Sequence, residues 1–222
     1  YAERVEYKRS FDGSVSISNV LDENGQPLKH RIQKTMMRID LETPLGSGDS
    51  VSFSLDWSYT INDADMLSMR TGYEYFEEED NYIYEIAMFF PRMAPYTDVH
   101  GWHHKQYLGS GEFSLEFGDY DVQITAPSDH IVGATGELQN AQEVLSKKQF
   151  NRFEEAKTAE RPVFIVSPEE AEQAQKQHSS QTKTWHFKAD NVRDFAFASS
   201  RKFIWDAWGR DIDGQTVMAM SF

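Results

Sequence analysis

The clearest pattern in the chain is a strict alternation of apolar and polar residues in "VSFSLDWSY", residues 51–59. Its apolar members are Val51, Phe53, Leu55, Trp57 and Tyr59, and a serine or an aspartate separates each from the next. Successive side chains of a strand point to opposite faces of a sheet. This period of two therefore predicts an antiparallel strand with one face in a core and the other in water.

Shorter patterns of the same kind recur and predict further strands. Alternation appears at 120–124, 185–187 and 195–197, and strand-like runs occupy 14–20, 35–41, 82–90, 112–117, 130–138, 163–166 and 215–222. Turn signals separate them at Asn24-Gly25, Gly46-Ser47-Gly48, Gly109-Ser110-Gly111, Gly118-Asp119 and Asp213-Gly214. Roughly ten antiparallel strands at this spacing predict a mostly-β fold, built as a saddle-like β-sandwich.

One region breaks the period of two. Residues 140–160 are rich in helix formers and place Phe150, Phe153 and Ala156 on one side at helical spacing. Further on, Ser167, Pro168 and Glu170 have the order of an N-cap, a first helical residue and a capping-box acid. We expect a two-helix excursion at about 140–177. With no internal repeat or low-complexity linker, the sequence predicts a β domain over 1–208, and a linker with the first strand of a further domain over 209–222.

Composition supports a packed domain and limits its partners. Of 222 residues, 39% are hydrophobic and 14% aromatic, which suffices for a core and favours strands. The 36 acidic residues outnumber the 22 basic ones, and this net charge of −14 argues against nucleic acid or an anionic membrane as a partner. No apolar run approaches the roughly 18 residues of a membrane span, and "YAERVEYKRS" does not resemble a signal peptide. The absence of cysteine excludes disulfides, thiolate zinc sites and a cysteine nucleophile.

Residues 89–113 carry the most suggestive side chains for a metal site. Imidazole is the commonest zinc ligand, and His100, His103 and His104 would lie together on a helix. Pro95 and Gly101 oppose such a helix, so surface or strand-edge histidines are the better interpretation, with a metal hydrolase kept as an alternative. The acidic run at 77–80 lacks the spacing of a calcium loop and predicts a hairpin tip. Neither G-x-S-x-G nor H-E-x-x-H occurs, so we expect no catalytic residue and no metal ligand in this chain.

Three long stretches carry a resemblance to a known family. They are "IDLETPLGSGDSVSFSLDWSYTI", "FFPRMAPYTDVHGWHHKQYLGSGEFSLEFGDYDVQITAPSDHIVGATGELQN" and "TWHFKADNVRDFAFASSRKFIWDA". In this order they resemble the N-terminal β domain of the aminopeptidase N-like zinc metallopeptidases, in a bacterial subgroup, over about residues 30–207. The resemblance implies a β-sheet saddle that packs on a thermolysin-like catalytic domain and closes one side of the peptide cleft.

The same resemblance implies that the catalytic part lies outside this chain. In the family, H-E-x-x-H and a downstream glutamate bind zinc, and a G-x-M-E-N-type loop recognises the substrate amine; neither motif is present here. The chain would thus be a fragment without its own activity, with zinc in the parent's catalytic domain. Its partners would be that missing catalytic domain and the parent's peptide substrates. The subgroup also implies a bacterial parent that is exported or periplasmic.

The family likeness suggests residues that could line the substrate cleft. In the family, the stretch before "FP" contributes a polar residue to the first substrate subsite. The positions implied here are Glu85, Met88, Arg92, Tyr96 and Asp98. Core packing is the alternative for Met88, and an ion pair that fixes the loop is the alternative for Arg92 and Asp98. A different class of function also stays open, an independent β-sandwich module that binds glycan or peptide through Tyr96, Trp102 and Tyr107.

Overall fold

The computed structural model describes residues 2–106 and 114–222. Its strands, in chain order, are β1 (Ser16–Asp22), β2 (His30–Gln33), β3 (Met36–Ile39), β4 (Phe53–Ser58), β5 (Gly72–Phe76), β6 (Asn81–Ile86), β7 (Tyr96–Thr97), β8 (Gly101–Trp102), β9 (Gly118–Pro127), β10 (Ile131–Ala134), β11 (Glu137–Leu138), β12 (Val163–Val166), β13 (Thr182–Val192), β14 (Phe197–Ser200), β15 (Trp205–Ile212) and β16 (Gln215–Ser221). Its helices are α1 (Ala2–Ser10), α2 (Ala64–Leu67), α3 (Ala141–Val144), α4 (Lys147–Ala156) and α5 (Pro168–Ala174). No helix in these two ranges is long and apolar enough to cross a membrane.

The chain divides into two compact units. Unit 1 contains residues up to 9 together with 62–89 and 117–222, and unit 2 contains 10–61 and 90–116. Strand β15 runs through residue 208, and its partner β16 pairs with it from Asp206↔Ser221 to Ile212↔Gln215, within unit 1. The predicted domain boundary near residue 208 stays a prediction.

Unit 1 contains three antiparallel sheets. Their strand orders are β10-β14-β6-β5, β11-β13-β9 and β12-β15-β16. The longest pairing joins β13 to β9, where Trp185 lies opposite Ile124 and Phe187 opposite Val122. Ile124, Trp185 and Phe187 are all buried, so this strand pair contributes the centre of the core.

Helices α4 and α5 begin where side chains satisfy their free backbone N–H groups. Ser146 accepts from the N–H of Gln149, and Ser167 accepts from the N–H of Glu170, each in a complete capping box. Phe153 and Ala156 of α4 are buried, at 7% and 0% exposure, so the amphipathic face predicted for this segment packs inward.

In the part of unit 2 that the structure describes, there are three two-stranded sheets, β1-β4, β2-β3 and β7-β8. Strand β1 pairs with β4 from Ser16↔Ser58 to Asp22↔Phe53, with a bulge between Ser18 and Leu21. The turn that follows β1 is fixed by Asp22, whose Oδ1 accepts from the N–H groups of Asn24 and Gln26 at 2.9 and 2.7 Å. Gly25 in this turn has φ 75°, a left-handed value that favours glycine.

The mostly-β, antiparallel class predicted from the alternation is confirmed. The predicted turn at Asp213-Gly214 joins β15 to β16, and the capping residues of α5 were predicted correctly. Other expectations were wrong in detail. Gly118 begins β9 instead of forming a turn, and residues 114–117 of the predicted strand 112–117 are irregular, while 112–113 and the predicted turn at 109–111 lie outside the described residues. The segment 140–160 forms two helices, because Ser146 caps a new one.

Candidate functional site

The predicted cleft residue Glu85 lies near the end of β6, in the interior of a sheet. It is opposite Gly72 of β5 on one side and Ala198 of β14 on the other, and its side chain is exposed. The hydroxyl of Thr71 donates to the carbonyl of Glu85 at 2.9 Å and accepts from the N–H of Ala87 at 3.1 Å. These bonds fix the backbone where β6 ends.

An open cavity of about 390 Å³ lies beside Glu85 in unit 1. Two charged residues, Arg70 and Glu85, contribute to a wall that is otherwise apolar. The apolar lining residues are Ile86, Ala87, Gly133, Ala134, Ala196, Phe197 and Ala198. Ala198 of β14 lies directly opposite Glu85 and its small side chain leaves space there, whereas the position above Gly133 of β10 is filled by the ring of Phe222. An apolar wall with a few polar groups is one feature of small-ligand sites, but this depression is largely open to solvent.

Met88, the second candidate, follows β6 in the same unit. Its φ of 53° is unusual for a residue other than glycine, and 56% of its surface is exposed. The predicted alternative of core packing is therefore wrong for Met88, because the left-handed backbone turns this side chain into solvent.

The remaining candidates, Arg92, Tyr96 and Asp98, belong to unit 2. The guanidinium of Arg92 lies 5.6 Å from the centre of the Phe90 ring, a cation–π contact. Tyr96 is 60% exposed and packs edge-on against Trp102, with ring centroids 5.3 Å apart. Asp98 is exposed. The ion pair between Arg92 and Asp98 stays a prediction, as does the role of all five candidates in a cleft.

The three histidines of the same region lie on or beside the β7–β8 hairpin. His103 shares a hydrogen bond of 3.1 Å with the hydroxyl of Thr97, and a ring nitrogen of His104 lies 2.8 Å from the carbonyl oxygen of Trp102. The rings of His100 and His103 are 6.0 Å apart. Within 2–106 and 114–222, no group of three or more histidine, aspartate or glutamate residues is placed to hold a metal ion.

A buried polar cluster in unit 1 was missed by the sequence analysis. Asp129 accepts a hydrogen bond of 2.8 Å from the N–H of Ser179 and lies 3.3 Å from Nε of Arg201, and both side chains of this ion pair are largely buried. His130 is 4% exposed and lies 2.9 Å from the hydroxyl of Ser199. The cluster connects three segments of unit 1, at residues 129–130, 179 and 199–201. No spacing rule marks these residues, since they come from distant parts of the chain.

Burial shifts the pKa of His130 in the cluster and of Lys183 nearby. Burial, and then the charge of Arg201, lowers the pKa of His130 from 6.5 to about 4. Burial also lowers the pKa of Lys183 to about 8, although the charge of Asp129 acts in the opposite direction. The Lys183 ammonium donates to the carbonyl of Val144 at 3.1 Å and lies 4.8 Å from the ring of Trp185. The imidazole of His130 is thus held neutral near pH 7.

Comparisons with known proteins identify no family for this chain. A scan against protein-family models finds no match, and neither do searches of curated proteins and of solved structures. The likeness to aminopeptidase N-like enzymes stays a prediction from the sequence.

Proposed function

We propose that this chain is the non-catalytic N-terminal β domain of a zinc-dependent aminopeptidase. In the parent enzyme it would pack on the catalytic domain and shape one side of the cleft for peptide N-termini. The observation that carries the proposal is the position of Glu85, on the wall of an open cavity and a few residues before the "FFPR" stretch that bears the family likeness.

The chemistry of the cavity suits a peptide end. A carboxylate at an apolar wall can form a charge-assisted hydrogen bond with the ammonium group of a peptide N-terminus. Ala198, directly opposite Glu85 and on the same face of the sheet, leaves room for an adjacent substrate side chain. Zinc and the catalytic groups would come from the parent's catalytic domain.

Exposed apolar side chains on the β15–β16 hairpin support a packing role. Ile212 and Val217 are 54% and 45% exposed and share one face of the hairpin, whereas Met220, 38% exposed, lies on the other face. Contiguous exposed apolar surface marks sites where another protein surface binds. In the proposal, the catalytic domain of the parent binds this apolar surface. The parent itself is proposed to be a bacterial protein that is exported or periplasmic.

The gene itself provides the first test. We expect the sequence encoded downstream of Phe222 to contain H-E-x-x-H followed about 20 residues later by a glutamate. This chain alone should bind no stoichiometric zinc by mass spectrometry of metals, and it should not hydrolyse aminoacyl anilides. Stoichiometric zinc in this chain, or a downstream sequence without the motif, would contradict the proposal.

The role of Glu85 is tested in the full-length product. Glu85→Ala should raise KM for aminoacyl anilides by about tenfold with a smaller change in kcat, because it removes a contact of about 1.4 kcal/mol made in the ground state as well. Glu137→Ala, in another exposed strand position of unit 1, is the matched control and should leave both constants unchanged. Equal effects of the two variants would show that Glu85 does not line the cleft.

A second candidate function is an independent module that binds glycan or peptide. It is favoured by the exposed aromatic pair Tyr96 and Trp102 in unit 2, whose rings pack edge-on. Tyr107, the third aromatic residue suggested for this module, lies outside the described residues. Binding on a glycan array that is lost in Trp102→Ala would favour this module, and the absence of any binding would count against it.

A further inference from the structure

Four tyrosines of the β5–β6 hairpin lie on one face of their sheet. Tyr75 is directly opposite Tyr82, and Tyr73 is directly opposite Tyr84. Residues two apart in a strand share a face, so the four rings form one cluster. The ring centroids of Tyr75 and Tyr82 are 4.7 Å apart, while those of Tyr73 and Tyr84 are 6.4 Å apart.

Tyr82 lies at the centre of this cluster. Besides Tyr75, its ring contacts Tyr73 at 5.6 Å and Tyr84 at 5.9 Å. Tyr75 and Tyr82 are also accessible, with 44% and 37% of their surfaces exposed. The closest pair of rings in the cluster is therefore also open to reagents in solution.

Tyr75 has a base in contact with its phenol group. Its hydroxyl donates to Oδ1 of Asp80 at 3.0 Å, across the turn that joins the two strands. This hydrogen bond raises the pKa of Tyr75, because the carboxylate stabilises the neutral phenol. Removal of an electron makes a phenol strongly acidic, and a carboxylate in hydrogen-bond contact then accepts its proton. Asp80 is thus placed to assist the oxidation of Tyr75.

We propose that Tyr75 and Tyr82 are an oxidation site at which a one-electron oxidant produces a dityrosine link between β5 and β6. Each phenol loses one electron and one proton; the proton of Tyr75 passes to Asp80, and that of Tyr82 passes to water. The two phenoxyl radicals then form a carbon–carbon bond between ring carbons ortho to the oxygens, and the hydrogens on those carbons move to the oxygens. The chain loses two hydrogens in total, and two equivalents of oxidant are reduced.

The link would join the two strands of the hairpin covalently. The sheet register already places the two residues opposite each other. Exposed methionines such as Met69 and Met88 are competing targets, but their oxidation adds an oxygen atom instead of removing hydrogens. The two products are therefore distinguishable by mass.

The experiment is photo-oxidation of the whole chain with tris(bipyridyl)ruthenium(II) and persulfate, followed by dityrosine fluorescence. Digestion by a glutamate-specific protease cuts at Glu77, Glu78 and Glu79, between the two tyrosines. A link then appears as a single species that joins the peptides of Tyr75 and Tyr82, lighter by two hydrogens than their sum. Fragment ions assign the bond to Tyr82 or to Tyr84.

Three variants decide the assignment. Tyr75→Phe should abolish the intrachain link, while Tyr73→Phe, on the same strand and face, should preserve it. Asp80→Asn should lower the initial rate of link formation by about tenfold, because asparagine keeps the hydrogen-bonding shape but is a far weaker proton acceptor. Asparagine also tolerates the positive φ of 48° at this position.

Other outcomes would overturn the proposal. These are an undiminished link in Tyr75→Phe, its loss in Tyr73→Phe, dityrosine found only between separate chains, or no dityrosine in the wild-type protein. An unchanged rate in Asp80→Asn would overturn the role of Asp80 as the proton acceptor.

Discussion

The two units of this chain differ most in how much of their apolar surface is covered. In unit 1, Trp185, Trp205 and Phe195 are at most 2% exposed. In unit 2, Val20 and Pro95 are the buried residues among those described. The strongest alternating pattern of the whole sequence lies in unit 2, yet Val51 and Phe53 of that pattern are 45% and 36% exposed. Alternation therefore shows which side chains share a face, but it does not show that another layer covers that face.

Comparing one strand from each unit shows why apolar side chains are covered in unit 1 and exposed in unit 2. Strand β13 pairs with β11 on one side and β9 on the other, and α3 contacts it, so Trp185 and Ala189 are buried. Among the described residues, strand β4 pairs with β1 alone. In unit 2, hydrogen bonds from side chain to backbone fix local turns, as at Asp22 and at Asp49, which accepts from the N–H of Gly46 at 3.0 Å. The comparison predicts different responses to mutation in the two units.

The largest expected effect is the loss of a core aromatic ring from unit 1. Phe195 is fully buried and stacks on Tyr120, with ring centroids 5.9 Å apart. Phe195→Ala should lower the free energy of unfolding by about 4 kcal/mol, the usual cost of such a cavity. The matched change in unit 2, Phe53→Ala, should cost less than about 1 kcal/mol because this ring is already partly in water. Urea unfolding followed by tryptophan fluorescence, with segment-resolved hydrogen exchange for unit 2, measures the loss of stability in each variant. Equal losses would show that the two units bury their aromatic side chains to the same extent.

The next effect tests how closely unit 1 is packed. A Cβ on Gly209 of β15 would overlap with the backbone carbonyl of Lys157 at the end of α4. Because backbone cannot move aside as a flexible side chain can, Gly209→Ala should cost about 3 kcal/mol. Gly118→Ala, at the start of β9, is the control, since nothing lies within 4 Å of its Cβ position. Thermal unfolding of the two variants provides the measurement, and a stable Gly209→Ala protein would mean that α4 and β15 pack loosely.

Much of the secondary structure was predictable because its causes are local. The capping residues Ser167 and Glu170 and the run 163–166 follow from neighbouring residues alone, and both were predicted correctly. The short strands β7 and β8 were not predicted, since two-residue strands leave no period to detect. Strand β5, with its alternating Tyr73 and Tyr75, was also missed. The acidic run after it was correctly interpreted as a hairpin tip, and β5 and β6 are the strands that it joins.

Less of the candidate site than of the secondary structure could be predicted from the sequence. Glu85 was predicted from a family likeness, whereas the cavity beside it depends on Ala198, which is distant in the chain. The cluster of Asp129, His130 and Arg201 could not be predicted, because burial of a charged residue depends on long-range packing. This cluster provides the third test.

Acidification should destabilise unit 1 through His130. The pKa of His130 in the folded state is about 4, below its ordinary value of 6.5. The neutral imidazole therefore contributes fully to the free energy of unfolding above pH 6.5, and this contribution is lost as the pH falls toward 4. The unfolded chain binds the proton first in this window. The free energy of unfolding should therefore drop by about 2 kcal/mol between pH 7 and pH 5. Urea titrations at both pH values measure it.

The control for this pH effect is His130→Gln, which can keep a hydrogen bond to Ser199 but does not titrate. Its stability should change less between pH 7 and pH 5 than that of the wild type, by about the same 2 kcal/mol. Equal slopes for the two proteins would show that burial and the charges of Arg201 and Lys183 do not hold His130 neutral.

The smallest effect concerns the turn of unit 2 at Asp22. Asp22→Ala removes the acceptor for the N–H groups of Asn24 and Gln26 and should cost about 1 kcal/mol, because both bonds are exposed to water. Asp22→Asn is the matched control, since its carbonyl can accept the same bonds. In hydrogen exchange, the segment around residues 22–28 should lose protection in the alanine variant and keep it in the asparagine variant. If unit 2 is stabilised mainly by such turns, Asp22→Ala should destabilise it at least as much as Phe53→Ala, although the turn buries far less apolar surface. The reverse order would mean that unit 2 depends on apolar burial as unit 1 does.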